Sequence, residues 1–238
     1  MELAGRTAVV TGGSRGIGFA IADALAGAGA SVAIAARTAA DVEKAAARLA
    51  GHEAAHAIGI ECDVRSQPDC ERLIARAAAE LGGIDILVNN AGIGRFGTVA
   101  EMPADDWRAV IETNVNSLYY CTHAALPHLK ARGTSWVINI GSLAGKNPFA
   151  GGSAYNASKF ALIGFSEALM QEVRHDGVRV SYIMPGSVAT DFSHPSSGAG
   201  DDWKVQPEDI AQIVMGLLRM PERTLPSRVE VRPSRPPR

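Results

Sequence analysis

The residues that reveal the architecture are Thr11-Gly12-Gly13-Ser14-Arg15-Gly16-Ile17-Gly18, which separate an apolar run from a helical pattern. A glycine-rich turn between a first strand and a helix is where a parallel sheet binds a pyrophosphate, because glycine lets backbone N–H groups approach the phosphates. The spacing of Gly12, Gly16 and Gly18 is not the literal G-x-G-x-x-G fingerprint, so an ordinary tight turn is the alternative interpretation.

Outward from this turn, apolar runs of strand length alternate with helical patterns, which is typical of βαβ units and a parallel sheet. We therefore expect an α/β fold, a single doubly wound Rossmann domain over residues 1–231, with about seven parallel strands and helices on both faces. The predicted strands are Thr7–Val10, Ser31–Ala35, Ala55–Cys62, Ile84–Asn89, Trp136–Ile140, Arg179–Met184 and Arg228–Val231. The predicted helices are Gly16–Ala26, Ala39–Leu49, Gln67–Leu81, Ala104–Leu129, Ala154–His175 and Pro207–Leu218.

The composition is that of an ordinary globular protein, with 47% hydrophobic and 20% charged residues among 238. A net charge of −2 offers no basic surface for nucleic acid, and no segment reads as a signal peptide or a membrane span. The three cysteines and six histidines lack metal-ligand spacing, so we expect no metal site and a cytoplasmic location. Residues 232–238 form a basic, proline-rich tail, which is either extended on a surface or disordered.

The end of the second predicted strand bears on the choice of nucleotide. An acidic residue at this place would hold the ribose 2′-hydroxyl of NAD, but the chain reads Ala35-Ala36-Arg37. Arg37 and Arg15 instead offer positive charge and planar donors to a 2′-phosphate. We therefore predict NADP(H) as the cofactor and NAD(H) as the less favoured one, although both arginines could simply be solvated surface residues.

Tyr155 and Lys159 stand four residues apart in a helical pattern and so share one face. An isolated tyrosine has a pKa of about 10, and a nearby ammonium favours its phenolate, so we expect Lys159 to lower the pKa of Tyr155 towards the working range. Ser142 follows a predicted strand, at the edge where such sheets bind ligands, and could hydrogen-bond a substrate oxygen.

Taken in order and spacing, these pieces resemble the short-chain dehydrogenase/reductase family of the Tyr-x-x-x-Lys type, including its 3-oxoacyl reductase-like members. The resemblance covers nearly the whole chain. The matching pieces are Thr-Gly-x-x-x-Gly-x-Gly at 11–18, Cys62-Asp63-Val64, Asn89-Asn90-Ala91-Gly92, Asn114, Ser142, Tyr155 with Lys159, and Pro185-Gly186 followed by Thr190.

The resemblance implies roles for these residues. Asp63 and Val64 would contact the adenine, Asn114 would support a proton relay to Lys159, and Thr190 would hold the carboxamide. The catalytic set is then Asn114, Ser142, Tyr155 and Lys159. The cofactor-binding set is Gly12, Ser14, Arg15, Gly16, Ile17, Gly18, Arg37, Asp63, Val64, Asn90, Ala91, Gly92, Tyr155, Lys159, Pro185, Gly186, Val188 and Thr190.

The resulting prediction is an NADPH-dependent reductase that interconverts a ketone or aldehyde and an alcohol on a small substrate, with Tyr155 as acid/base. The alternatives are a 3-oxoacyl thioester reductase, an NAD-linked alcohol dehydrogenase, and a non-catalytic NADPH-sensing regulator. A regulator would tend to have lost the Tyr or the Lys, and both are present. The resemblance also implies a homodimer or homotetramer, built on the helices Ala104–Leu129 and Ala154–His175.

Overall fold

The computed structural model describes residues 2–52, 56–190, 192 and 201–237. Its centre is a seven-stranded sheet in the order β3-β2-β1-β4-β5-β6-β7, and every neighbouring pair is parallel. This confirms the predicted doubly wound α/β fold. The strands are β1 Thr7–Thr11, β2 Ser31–Ala36, β3 Ala57–Glu61, β4 Ile86–Asn89, β5 Ser135–Ile140, β6 Val178–Pro185 and β7 Arg228–Val231.

The helices connect successive strands, as the alternating pattern predicted. Short 3₁₀ segments follow β5 at Leu143–Gly145 and precede β6 at Arg174–Asp176. The helices are α1 Gly16–Gly27, α2 Ala39–Leu49, α3 Gln67–Leu81, α4 Ala104–Ile111, α5 Ser117–Lys130, α6 Ser153–Val173 and α7 Pro207–Leu218.

The sheet is covered on both faces, because adjacent side chains of each strand point to opposite sides. On β1, Val10 belongs to a core formed with α1, α2 and α7, whereas Val9 belongs to a core formed with α3, α5 and α6. Both valines are fully buried. The consecutive apolar residues of the strands are explained by this two-sided burial.

The predicted helix Ala104–Leu129 is not one regular helix. A π-helical turn at Glu112–Asn116 separates α4 from α5. Such a turn carries one more residue than an α-helical turn, and its hydrogen bonds close over a wider ring. The sequence analysis treated this segment as one continuous helix and missed the turn.

Other boundaries differ by a few residues. β4 begins at Ile86 rather than Ile84, and β3 spans Ala57–Glu61, within the predicted segment whose first residue, Ala55, lies outside the described residues. α6 ends at Val173, where the 3₁₀ segment begins. Within the part of the chain that the structure describes, no helix is both long and apolar enough to cross a bilayer.

The C-terminal strand is tied to the loop that follows β5. Glu230 on β7 accepts hydrogen bonds from Lys146 and from Arg232, both at 2.8 Å. These partners hold the pKa of Glu230 low, at about 2. Pro233 lies beside Gly186, where a Cβ built on the glycine would be 3.4 Å from the proline Cδ. The first residues of the proline-rich tail therefore pack against the protein, next to the end of β6.

Candidate active site

A cleft of about 1110 Å³ opens at the carboxyl ends of the strands. Successive strands are added on one side of β1 up to β3 and on its other side from β4 onward, and ligands of such sheets bind at this switch point. Of the predicted site residues, all except Gly18 and Asn114 line the cleft. Those that line it are Gly12, Ser14, Arg15, Gly16, Ile17, Arg37, Asp63, Val64, Asn90, Ala91, Gly92, Ser142, Tyr155, Lys159, Pro185, Gly186, Val188 and Thr190.

The glycine-rich turn is held in place by Asn90. Its side-chain amide donates to the backbone oxygens of Thr11 at 2.9 Å and Gly12 at 3.1 Å. Gly12 has a φ of 63°, which favours glycine. Gly18 packs beneath the turn, close to the carbonyl oxygen of Gly12 and the Asn90 amide. A Cβ at this position would overlap both groups, so only glycine fits there. Gly18 was predicted to bind the cofactor, but it does not line the cleft, and its lack of a side chain instead lets the helix and the turn pack closely.

The N-terminus of α1 fits the pyrophosphate of a dinucleotide. Its N-cap residue, Arg15, is extended and makes no side-chain cap. The first N–H groups of a helix lack intrahelical acceptors, and the helix dipole adds partial positive charge there. Gly16 and Ile17, the first helical residues, line the cleft. These donors and the side-chain-free surface of the turn are what a phosphate group needs.

Two exposed arginines, Arg15 and Arg37, line the cleft beyond the glycine-rich turn. A third arginine there, Arg65, was missed by the sequence reasoning. It forms an ion pair with Asp63 and lowers the pKa of that carboxyl by hydrogen bonding. The Asp63 carboxylate is thereby partly neutralised at the end of the cleft where the adenine is expected.

Tyr155 and Lys159 lie one turn apart on α6, as their spacing predicted. The Lys159 side chain is buried, and its ammonium donates to the backbone oxygen of Ile140 at 3.0 Å. Its Nζ lies 5.8 Å from the centroid of the Tyr155 ring. α6 thus brings a buried amine to the carboxyl end of β5, beside the phenol.

The pKa of Tyr155 was expected to be lowered, and the structure instead gives a raised pKa. Burial raises the pKa of Tyr155, and hydrogen bonding with Ser142 opposes this only in part. Burial also lowers the pKa of Lys159 to about 8. The reason is that both groups are removed from water, which penalises the charged form of each. Tyr155 is therefore held as a neutral phenol at neutral pH, in the form that can donate a proton.

Ser142 begins the 3₁₀ segment after β5. Its hydroxyl oxygen accepts a hydrogen bond from the backbone N–H of Ala144 at 3.1 Å. The hydroxyl lies beside the Tyr155 phenol and lowers its pKa through hydrogen bonding. One oxygen placed between these two hydroxyls could receive hydrogen bonds from both.

Asn114 lies in the π-helical turn and is buried. Its side-chain oxygen accepts from the N–H of Ile93 at 2.8 Å, and its amide nitrogen donates to the Ile93 oxygen at 2.9 Å. The same nitrogen donates to the Ser158 hydroxyl at 3.0 Å. Asn114 thus fixes the loop after β4 against α6, and its part in a proton relay stays a prediction.

The segment after β6 closes the other side of the cleft. The N–H of Gly186 donates to the Val231 oxygen at 2.8 Å, which anchors the segment to β7. Further along, Ala189 donates to Val205 at 2.9 Å, and Val205 donates to Ser187 at 3.1 Å. These bonds join the two ends of the segment 187–204, in which Asp191 and residues 193–200 lie outside the described residues.

Three phenylalanines line the cleft near Tyr155: Phe96, Phe149 and Phe192. Sequence reasoning missed Phe96. Phe96 lies in an irregular loop, four residues after the Asn-Asn-Ala-Gly segment, and no motif or hydrophobic periodicity in that loop indicates a substrate-binding residue.

Together these residues can move a proton at one oxygen atom. Tyr155 could donate the proton, Ser142 could add a second hydrogen bond, and the buried Lys159 could supply positive charge near the phenol. A nicotinamide cofactor, when bound, supplies the hydride. Gly12, Gly16, Ile17, Asn90 and the segment 185–190 would hold it.

Comparison with known proteins shows to which family this chain is similar. A family model described as short chain dehydrogenase matches residues 6–199. Dehydrogenase/reductase SDR family member 4 of Oryctolagus cuniculus is 38% identical over 211 residues, which are 88% of this chain and 79% of the relative. The 3-oxoacyl-[acyl-carrier-protein] reductase FabG of Salmonella typhimurium is 36% identical over 83% of this chain and 79% of its own length.

A solved structure agrees with these matches. A short chain dehydrogenase from Burkholderia cenocepacia, determined in complex with NADP, superposes with a TM-score of 0.88 at 35% identity. The match covers 98% of this chain and 98% of that one. The sheet order and the cleft at its carboxyl edge thus belong to a fold seen with a bound dinucleotide.

Proposed function

This chain belongs to the short-chain dehydrogenase/reductase family and is an NAD(P)-dependent oxidoreductase; on that premise we propose that it reduces a ketone or aldehyde to an alcohol with NADPH. Tyr155 donates the proton to the carbonyl oxygen and Ser142 shares the hydrogen bonding. The single observation that carries the proposal is the phenol of Tyr155 beside Ser142 and Lys159, in one cleft with the glycine-rich turn.

The protonation state of Tyr155 fits carbonyl reduction. Reduction needs a proton donor at the carbonyl oxygen, and burial raises the pKa of Tyr155, which favours its neutral phenol. The NAD-linked alcohol dehydrogenase considered from the sequence is disfavoured on a different ground, because no acidic residue stands at the end of β2.

NADPH rather than NADH is supported by the charges near the end of β2. Arg15 and Arg37 line the cleft, and both are exposed. A 2′-phosphate would meet two guanidinium groups there. The Burkholderia cenocepacia relative was solved with NADP.

We further propose a small, free substrate rather than an acyl group on a carrier protein. A carrier with an acidic surface needs unpaired basic residues on the surface that it meets. After α6 the chain has Asp176 before the turn glycine, and Asp176 pairs with Lys130 at 2.6 Å. Arg132 contacts the buried Asp85 at 3.5 Å and the Gly82 oxygen at 2.7 Å. Two of the nearby basic residues are therefore engaged within the protein.

The test is NADPH oxidation with a panel of small ketones, aldehydes and diketones, alongside one 3-oxoacyl group presented on acyl carrier protein and on a minimal thioester. We expect turnover with small carbonyl compounds and similar kcat/KM for the two thioesters. A carrier advantage of about a hundredfold or more would show that the enzyme is a carrier-dependent reductase. In that case Arg174, which is exposed beside this region, would be the first residue to mutate.

Assembly is a further part of the proposal. The exposed face of α4, α5 and α6 carries Trp107, Tyr119 and Phe160, each at least 42% exposed. Apolar side chains of this size favour burial against another surface. We expect a homodimer or homotetramer, and light scattering at micromolar concentration that gave a mass near 24.9 kDa, that of one chain, would contradict it.

We propose a cytoplasmic location for the same enzyme. Cys62, Cys70 and Cys121 are all free and buried. Reducing compartments keep protein thiols in this state. NADPH, the proposed reductant, is also compatible with that environment.

A further inference from the structure

Three phenylalanine rings from three separate segments meet around Tyr155. The Phe96 ring centroid is 5.7 Å from that of Tyr155 at an interplanar angle of 69°, and the Phe192 centroid is also 5.7 Å away at 53°. Phe149 lies 5.9 Å from Phe96 at 44°. These separations and tilts are those of interacting aromatic pairs.

Backbone contacts hold two of these rings in place. The N–H of Gly97 donates to the Gly151 oxygen at 2.8 Å, which fixes the loop of Phe96 against the start of α6. The Phe149 oxygen accepts from the Gly152 N–H and from the Asn156 side chain, both at 3.2 Å. The loops before α4 and before α6 are thus joined directly beside Tyr155.

The three rings present apolar surface to the cleft. Phe96 is 50% exposed, Phe149 48% and Phe192 43%. Clustered, half-exposed aromatic side chains in a cleft are typical of a ligand-binding groove. Here the exposed ring faces line the same cleft as the proton donor.

Among the described residues of the cleft, no charged side chain at this end is free to pair with a charged substrate. Asp201 and Lys204, at the end of the segment 187–204, pair with each other at 2.6 Å. Lys159 is buried against Ile140. The other charged side chains among the described residues of the cleft lie on the loops after β1, β2 and β3 or at the start of α2: Arg15, Arg37, Asp41, Asp63 and Arg65.

We propose that Phe96, Phe149 and Phe192, the aryl site, bind an aromatic ring attached to the reacting carbonyl, so that the preferred substrates are uncharged aryl ketones and aldehydes. This rests on the proposed reductase function. In the reaction, the carbonyl carbon gains a hydride from NADPH and the oxygen gains a proton from Tyr155. The products are the aryl alcohol and NADP⁺, and the phenol is reprotonated from solvent.

The experiment compares two ketones of the same size, acetophenone and cyclohexyl methyl ketone, by kcat/KM with NADPH. Phe96→Ala, Phe149→Ala and Phe192→Ala are each expected to lower the aryl-to-alkyl ratio roughly two- to tenfold, the range for one aromatic contact. Because each variant's ratio is divided by the wild-type ratio, the different intrinsic reactivities of the two ketones cancel.

Phe160→Ala is the matched control. Phe160 is 47% exposed, lies on the same helix as Tyr155 and does not line the cleft. Any effect of this substitution on folding or assembly should change both ketones equally. We therefore expect its aryl-to-alkyl ratio to equal that of the wild type.

Gly94→Ala tests the site without removing a ring. A Cβ at Gly94 would lie 2.8 Å from Phe96 Cζ and 2.9 Å from Phe192 Cε1, so both rings must shift. The φ of Gly94 is outside the left-handed region, and alanine is compatible with its backbone. We expect this variant to fold and to lower the aryl-to-alkyl ratio at least twofold (roughly one lost ring contact).

Calorimetry supplies a readout that does not depend on turnover, because a ketone added to the enzyme with NADP⁺ cannot react. Acetophenone should bind more tightly than cyclohexyl methyl ketone, and the preference should fall in the three Phe variants. Equal binding of the two ketones, or ratios within twofold of wild type in all four cleft variants, would overturn the aryl site. No turnover across the whole carbonyl panel would instead refute the reductase function, and the calorimetric preference would still decide the aryl site.

Discussion

Tyr155→Phe is expected to reduce kcat by roughly 10²- to 10⁴-fold, the usual contribution of a positioned general acid. The variant keeps the ring that packs between Phe96 and Phe192 and loses only the hydroxyl. NADPH affinity should therefore change little. The measurement is single-turnover NADPH oxidation with a good ketone substrate, together with NADPH binding by fluorescence titration.

Tyr119→Phe serves as the control for this substitution. Tyr119 lies on α5, is 51% exposed and does not line the cleft. Its loss of a hydroxyl should leave kcat at the wild-type value. If Tyr155→Phe kept more than about a tenth of the wild-type rate, a different group would have to be the acid, since the expected loss is at least a hundredfold.

Arg37→Asp is expected to move cofactor preference from NADPH towards NADH by roughly tenfold to a hundredfold. The substitution removes a charge-assisted hydrogen bond, worth about 1.5–3 kcal/mol, and adds repulsion against a 2′-phosphate. The carboxylate could also accept from the ribose hydroxyl of NADH, as an acidic residue does at this place in NAD-binding sheets. The measurement is kcat/KM for each cofactor at a saturating ketone concentration.

Arg223→Asp is the matched change of charge, because Arg223 is exposed and does not line the cleft. It alters the net charge of the protein by the same amount and should leave the NADPH-to-NADH ratio unchanged. Equal kcat/KM with the two cofactors in the wild-type enzyme would contradict the assignment of Arg15 and Arg37 to the phosphate. If Arg37→Asp had the same NADPH-to-NADH ratio as the wild type, Arg37 would not bind the 2′-phosphate.

Local patterns were sufficient for most of the fold. The strands are buried on both faces and so appear as continuous apolar runs, and the glycine-rich turn marks the crossing from β1 to α1. The four-residue spacing of Tyr155 and Lys159 likewise predicted their shared helix face. These features are encoded in residues close together along the chain.

Features that depend on distant segments could not be predicted in the same way. The pKa of Tyr155 depends on burial by loops far away in sequence, and for this reason its expected direction was wrong. The contact between Phe96 and Phe149 joins residues more than fifty positions apart through the pairing of Gly97 with Gly152. Neither the pKa of Tyr155 nor the contact between these two rings produces a periodic pattern in the sequence.

The π-helical turn at Glu112–Asn116 makes this region sensitive to chain length as well as to residue type. It is equivalent to one residue inserted into a continuous α-helix, and each helical residue advances the side-chain direction by about 100°. A one-residue deletion here would restore a regular helix and turn α4 relative to α5. If the first part of the helix turned, Asn114 would lose its hydrogen bonds to Ile93 and Ser158. If α5 turned instead, Leu118 and Cys121 would move out of the core. Homologous helices that align here without a gap are therefore expected to carry the same extra residue, whereas shorter ones must fix the loop after β4 by other contacts.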